Sequence, residues 1–447
     1  MKWTRIFIWG VAILLALLAI GLGGGSLWLD SFIHSDAFRH DVEARVGKTM
    51  GATIEIRQID FGILRGVELK GLGTKMVTAQ GTVVSEVAKV RCSYSLGALL
   101  DRKLQLDGVT VEEPRIVLTQ LPPSKVPEPV APALESNDNP TPEQTKSGKT
   151  APFEVILKAA KVKNGRLSLQ DAAGATQADL QGLQMTADTE GYFVGKDVSG
   201  ELSVATITLP NNLVLTDFST PFRYRTNLFE ASPYKVSVLG GQANGDYRVD
   251  PSGPSVLEVN ATGIDLAAAE KIVAPDLPTK LSGTLASQSK WTSVEKGKLT
   301  GEGDAQMVAG KLTGQPILRD LAKALQIPEM RNPEIKSFVV HFRVANGTIR
   351  FSEFLLKSAA FEMAGSGVID PRGNLTANMT LVLYDTTLSR IPPVVAPFFA
   401  KVPGGGSIPF QLTGTALNPE SDSLTKNFIQ GSKVNESIKK TLNKFFH

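Results

Sequence analysis

The chain has 447 residues, 42% of them hydrophobic, with 47 basic and 44 acidic side chains for a formal net charge of +3. So even a balance argues against a dedicated nucleic-acid surface, which needs a basic face to displace counterions. A single cysteine, Cys92, excludes an intramolecular disulfide, and 41 glycines and 26 prolines with few aromatics suit short strands joined by frequent turns.

Lys2 and Arg5 precede an uncharged apolar run from Ile6 to Leu29, with Asp30 and Asp36 after it. About two dozen helical residues at ~1.5 Å each reach about 36 Å, enough for a hydrocarbon core of ~30 Å. Basic residues before the run and acidic ones after it predict an N-inside, C-outside orientation. The run is longer than a signal-peptide core and no A-x-A site follows it, so it reads as a retained transmembrane anchor. Residues 1–29 are therefore assigned as cytoplasmic tip and anchor.

Residues 30–120 read as a helix followed by a first β segment. Phe32, Phe38, Val42 and Val46 recur near helical spacing over Ser31 to Met50. Apolar residues then alternate from Thr53 to Ile59, and Val67-Glu68-Leu69, Leu104-Gln105-Leu106 and Val109-Thr110-Val111 continue the strand pattern. Residues 121–152 are rich in proline and small polar residues and carry no apolar period, which predicts a linker or exposed loop that interrupts the fold.

Residues 153–420 are read as the main β domain. Asn164-Gly165 and Asn346-Gly347 each precede an alternating run, and Asn-Gly supplies the positive φ angles of a two-residue hairpin turn. Asp250-Pro251-Ser252-Gly253 and Asp370-Pro371-Arg372-Gly373 suit type I turns, each between Gly-containing and alternating runs, so an antiparallel meander is expected. Helices are few. Pro316 to Leu325 is one, with Ile317, Leu318, Leu321 and Leu325 on one face and Pro in its first turn, and Ile264 to Ala274 is a short second. Ile391 to Val402 is apolar but interrupted by prolines. In residues 421–447, Val434, Ile438, Leu442 and Phe445 form a stripe with lysines elsewhere around it, the pattern of a basic amphipathic helix.

Enzyme signatures are absent: there is no HExxH, GxSxG, Walker A or CxxC pattern. His34 and His40 lack helical metal-ligand spacing, and His341 falls on the strand face opposite Phe338, Val340, Phe342 and Val344. No catalytic, cofactor or metal residues are assigned, and the chain is expected not to be an enzyme. Asn260, Asn346, Asn374, Asn378 and Asn435 head glycosylation-type triplets, which carry meaning only in a eukaryotic secretory protein.

Alternating strands leave each sheet one apolar face, and the helices expected after Phe153 are too few to cover it. A self-packed sandwich or barrel hides such a face; a trough leaves it to something bound.

Four stretches in order resemble the AsmA-like family of bacterial envelope proteins, which includes TamB-type relatives. They are the anchor with a helix and Val46 to Ile56, then Leu157 to Asp171 with its Asn-Gly, Val236 to Tyr247 with Gly240-Gly241, and Phe361 to Asp370 continuing through Ile408 to Pro419. The resemblance implies a mainly β fold, an elongated, curled antiparallel sheet with a hydrophobic groove behind the N-terminal helix. It implies a single-pass bacterial inner-membrane protein with its bulk in the periplasm. It also implies phospholipid or another acyl lipid as ligand, without a cofactor, in lipid transport or outer-membrane homeostasis. A non-enzymatic assembly factor for outer-membrane proteins, with envelope proteins as partners, is the alternative. Val236, Val238, Ile349, Phe351, Leu381 and Leu383 are the candidate groove-lining residues. Fifteen to twenty strands at ~4.8 Å make a trough of roughly 70 to 95 Å, expected to be too short to cross the periplasm unaided.

Overall fold

The computed structural model describes residues 36–62, 66–78, 81–95, 98, 103–120, 154–189, 197–225, 228–250, 253–275, 279–295, 298–393, 395–416 and 418–421. The expected anchor, the first residues of the expected Ser31–Met50 helix, the Pro-rich stretch and the C-terminal amphipathic stripe lie outside these residues. Among the described residues no helix is long and apolar enough to cross a membrane. Strands dominate, and the chain divides into two compact units, one ending at Phe229 and one beginning at Glu230.

The first unit opens with helix α1 (Asp36–Met50), followed by β1 (Ala52–Gly62), β2 (Gly66–Thr78), β3 (Gly81–Tyr94) and β4 (Lys103–Gln120). After residue 153 come β5 (Glu154–Leu157), β6 (Ala159–Gln170), β7 (Thr176–Thr189), β8 (Val198–Thr208) and β9 (Val214–Arg225). Strands β1 to β4 pair antiparallel in chain order, as do β6 to β9. Between these sets the sheet departs from the all-antiparallel expectation: β5 and β6 both run parallel to β4. Lys103 at the start of β4 pairs with Glu154, and Thr119 near its end pairs with Gln170. The chain that leaves β4 at Gln120 therefore re-enters beside the opposite end of that strand. A parallel pair needs a crossover of a dozen or more residues, and residues 121–153 supply that length.

Helix α1 lies on this sheet because its apolar residues recur on one side. Phe38, Val42 and Val46 are buried against Ile54, Ile56, Ile59, Val67, Leu69, Val87, Val90, Cys92, Val109 and Val111. Burial of each such aliphatic side chain contributes about 1.5–3 kcal/mol. Ile54, Ile56 and Ile59 break strict alternation yet are all buried. The reason is a line of bulge-like kinks across the sheet, with positive φ at Gly71 on β2, Glu113 on β4, Asn164 on β6, Gly182 on β7 and Asp217 on β9. Such kinks turn a strand and let an odd step return to the same face. Asn164-Gly165 is thus no hairpin turn, contrary to expectation; the positive φ of Asn164 (53°) serves a kink inside β6. The opposite face is charged: Asp60, Glu68, Lys70, Lys89, Arg91, Glu112 and Lys163 form a ladder of ion pairs from β1 to β6.

The second unit contains most of β10 (Leu228–Val238), then β11 (Gly241–Val249), β12 (Ser255–Asp265), helix α2 (Leu266–Val273), β13 (Lys280–Glu295) and β14 (Lys298–Thr313). Helix α3 (Pro316–Leu325) leads to β15 (Glu334–Ala345), β16 (Thr348–Ser358), β17 (Phe361–Ile369) and β18 (Leu375–Tyr384). A short helix α4 (Asp385–Leu388), β19 (Ala400–Val402), β20 (Gly405–Gly414) and β21 (Pro419–Glu420) complete it. Strands β11 to β18 form the expected antiparallel meander, and β18 continues to β20. Asn346-Gly347 makes the expected hairpin turn, with φ of 51° and 75°. The Asp370 turn also forms: Gly373 N–H donates to the Asp370 carbonyl at 2.9 Å, and the Asp370 carboxylate accepts from Arg372 and Asn374 N–H.

Helix α3 has the expected bounds and buries Leu318, Leu321 and Leu325. Helix α2 is capped by the Asp265 carboxylate, which accepts from the N–H groups of Ala267 and Ala268. The Pro-broken stretch after Ile391 folds over the core through Ile391, Val395 and Phe399, which are buried with Phe361, Leu381, Leu383 and the α3 leucines.

Candidate functional site

In the second unit the paired registers place successive side chains of one sheet face in rows. One row runs Tyr247, Leu257, Trp291, Gly301, Val344, Ile349, Ile369 and Leu375, one residue from each strand β11 to β18. The next runs Val259, Ser289, Gly303, Phe342, Phe351, Gly367, Ala377 and Leu412, from β12 to β18 and on to β20. Neither row contains a charged residue. Eight strands are separated by seven gaps of about 4.8 Å, so each row is about 34 Å long.

Aromatic rings are set into this surface. Trp291 and Phe342 have ring centroids 6.2 Å apart, and Phe351 lies 6.1 Å from Phe354. Glycines beside them make the fit: a Cβ on Gly301 would lie 2.4 Å from the Trp291 ring, and one on Gly367 would lie 2.6 Å from the Phe351 ring. The rings therefore lie low across the sheet, close against the neighbouring backbone.

Coverage differs along the strands. At one end α3, α4 and the turn after Ile391 bury Met307, Leu356, Phe361, Met363, Met379, Leu381 and Leu383. At the other end, where the first row lies, no described helix packs on the face. Tyr247 is 39% exposed, Leu299 48% and Ile349 36%, while Leu257, Trp291, Phe342, Val344 and Phe351 are half-buried. Single exposed apolar residues are ordinary; here they adjoin in one uncharged row from Tyr247 to Ile349, while Leu375 at the row's far end is buried in the capped core.

The first unit repeats the arrangement on its own sheet. One row there is Ser85, Ile116, Leu167, Leu180, Ile207 and Leu215, from β3 through β9. Ile116, Leu167, Leu180, Ile207 and Leu215 are half-buried and lie outside the cluster that α1 joins.

The sequence-derived lining residues divide accordingly. Ile349 and Phe351 are adjacent on the uncovered end of the face. Leu381 and Leu383 lie on the same face but are wholly buried beneath the cap, so they form core rather than accessible lining. Val236 and Val238 are half-buried on β10. Trp291, Leu257 and Tyr247 were not singled out, because each stands in a serine- or charge-rich strand whose apolar side becomes evident only from the cross-strand register. Phe342 and Val344 were legible as an apolar strand face.

Polar chemistry lies elsewhere. His341 Nδ1 is 2.9 Å from Asp304 Oδ1 on the opposite face. Cys92 is buried, and burial pushes its thiol up to about 12, so it stays protonated at neutral pH. A hollow of about 200 Å³ between α2 and the β13–β14 pair is lined by Glu270, Lys271, Lys280 and Lys311. Glu270 is already bound there, accepting from Lys280 at 2.7 Å and from the Leu281 N–H at 2.8 Å; these contacts, Lys280's first, hold its carboxyl below the usual range. They tie α2 to the sheet. Among the described residues no group of His, Cys, Asp and Glu is placed to hold a metal ion.

No protein-family model, curated protein or solved structure matches the chain.

Proposed function

We propose that this chain is an AsmA-like, inner-membrane-anchored periplasmic protein that holds phospholipid acyl chains on its uncovered apolar sheet face. In this reading it contributes to lipid transport or outer-membrane homeostasis. The observation that carries it is the uncharged row from Tyr247 to Ile349, left without a covering helix at one end of the second unit. An acyl chain needs apolar contact without directional partners, and a shallow aromatic and aliphatic trough supplies that. The apolar run from Ile6 to Leu29 supports attachment to a bilayer from which lipid is drawn.

Template-type assembly of outer-membrane strands is less well supported. It needs an open sheet edge, and at the β1 edge α1 takes up two backbone groups: Glu43 Oε1 accepts from the Ile56 N–H at 2.7 Å, and Arg39 donates to the Arg57 carbonyl at 3.2 Å.

A photoreactive benzoylphenylalanine at position 349 tests the reading in growing cells. Phospholipid adducts at 349, and none at position 308 on the opposite face (Val308 is 74% exposed), are expected. Equal labelling at the two positions, or none at either together with lipid-free protein in native mass spectrometry, overturns it.

A further inference from the structure

We infer that the hollow between α2 and the β13–β14 pair is a binding site for a phosphate group, held by Lys271, Lys280 and Lys311 with the hydroxyls of Ser282 and Thr313. Its floor is on the sheet face opposite the apolar row, so it stands whether or not that row holds lipid.

Register builds the floor. Lys280 pairs with Thr313, and Ser282 with Lys311, across β13 and β14. Directly opposed residues share a face about 5 Å apart, and alternate residues along a strand share it about 7 Å apart. The four side chains therefore stand at the corners of one small patch, lysines on one diagonal and hydroxyls on the other. Leu281 and Leu312, between them, point to the other face and pack against the core. Helix α2 builds the wall. Strand β12 makes its last pair with β13 at Asp265 and Thr284, and α2 follows directly where β12 stops. Glu270 fastens the helix there, accepting from the Leu281 N–H at 2.8 Å and from Lys280 at 2.7 Å, and Lys271 beside it lines the same hollow.

Charge is the second argument. Elsewhere on this face cations pair with carboxylates of neighbouring strands: Lys290 with Glu258 at 2.8 Å, Arg343 with Glu302 at 3.3 Å and Lys357 with Glu362 at 3.2 Å. In the hollow three lysines meet one carboxylate, a surplus of two positive charges. Glu270 takes Lys280, and neither Lys271 nor Lys311 forms an ion pair among the described residues. Glu334, opposite Lys311 on β15, does not line the hollow. A phosphate group supplies the missing negative charge. Ammonium groups on flexible stems converge on its oxygens as point charges, and hydroxyls donate to the oxygens that remain. The Thr313 hydroxyl makes only a long contact of 3.5 Å to the Lys280 carbonyl, which leaves it able to turn to a ligand. The volume of about 200 Å³ is below the ~300 Å³ at which sites for drug-sized ligands begin, and suits a small anion or a single headgroup. Phosphate reaches such a site as a soluble ion or as part of a lipid headgroup, and the test separates the two.

Calorimetric titration of the full-length protein in a maltoside detergent with inorganic phosphate tests the site. K271A/K311A is expected to weaken binding at least tenfold. K290A, which removes a lysine already paired with Glu258 on the same face, is expected to leave it unchanged. E270Q keeps an acceptor for the Leu281 N–H while releasing Lys280, and is expected to tighten binding several-fold, where a variant that had lost its fold would weaken it. The second probe is vesicles of phosphatidylcholine with phosphatidic acid. Adsorption to them that K271A/K311A abolishes and K290A does not, without binding of inorganic phosphate, assigns the site to a lipid headgroup; saturable binding of inorganic phosphate assigns it to the soluble ion. Binding that K271A/K311A leaves intact, binding that K290A weakens equally, or binding of neither probe overturns the proposal.

Discussion

The two units handle the same problem differently. In the first, helix α1 lies against β1 and its apolar residues join a buried cluster that reaches β4, while Ile116 on β4 and Leu167, Leu180, Ile207 and Leu215 on later strands stay half-buried. In the second, α3, α4 and a Pro-rich turn cap one end of many strands, so the face divides along the strand direction into a sealed core and an open trough. A cap on strand ends keeps the whole width of the sheet available at the other end.

Substitutions can break this contrast, and the largest effect belongs to the sealed core. Phe361→Ala should cost about 3–5 kcal/mol, because the ring has no exposed surface and its removal leaves a cavity. A denaturant melt followed at Trp291 reads this loss. Ile349→Ala, on the same face at the open end, should cost under about 1 kcal/mol while reducing lipid retention. Equal destabilisation by the two would show that the face is not divided.

Next comes the tie between α1 and the sheet. Glu43→Ala removes the acceptor of the Ile56 N–H and should cost about 1–3 kcal/mol, visible as faster amide exchange at Ile56. Asp265→Ala removes the α2 cap and should cost about 1 kcal/mol, read as lost protection at Ala267 and Ala268.

The smallest effect is acid sensitivity on the charged face. Arg166 donates two hydrogen bonds of 2.9 Å to Asp179, and Gln181 donates a third at 2.7 Å. The guanidinium, foremost, holds the Asp179 carboxyl below the usual range. Its contribution is therefore complete above the unfolded-state value of about 3.9 and fades as pH falls through the lower folded value. Asp179→Asn should flatten the acid limb of the stability profile below about pH 4 and leave stability less pH-dependent there.

Much of the local structure was readable in advance. Pro316 at a first turn and an apolar stripe at helical spacing defined α3. Asn346-Gly347 and Asp370-Pro371 carried their turn geometry in their own backbone preferences. Asn164-Gly165 misled because the same positive φ serves a hairpin or a kink, and only the neighbouring strands decide between them. Of the lining residues, Ile349 and Phe351 lie at the open end while Leu381 and Leu383 are buried. Alternation reports which side of a strand is apolar, but not what lies above it.

By itself the sequence determined the β class, the positions of most turns, the helices α2 and α3 and the lack of known enzyme motifs, because each depends on residues within a few positions of one another. The tertiary structure alone decided that β5 and β6 run parallel to β4, that kinks line up from Gly71 to Asp217, and that eight strands place their apolar side chains in one row. Those features depend on pairing between residues tens to hundreds of positions apart, where register and coverage, rather than local preference, set which side chains meet.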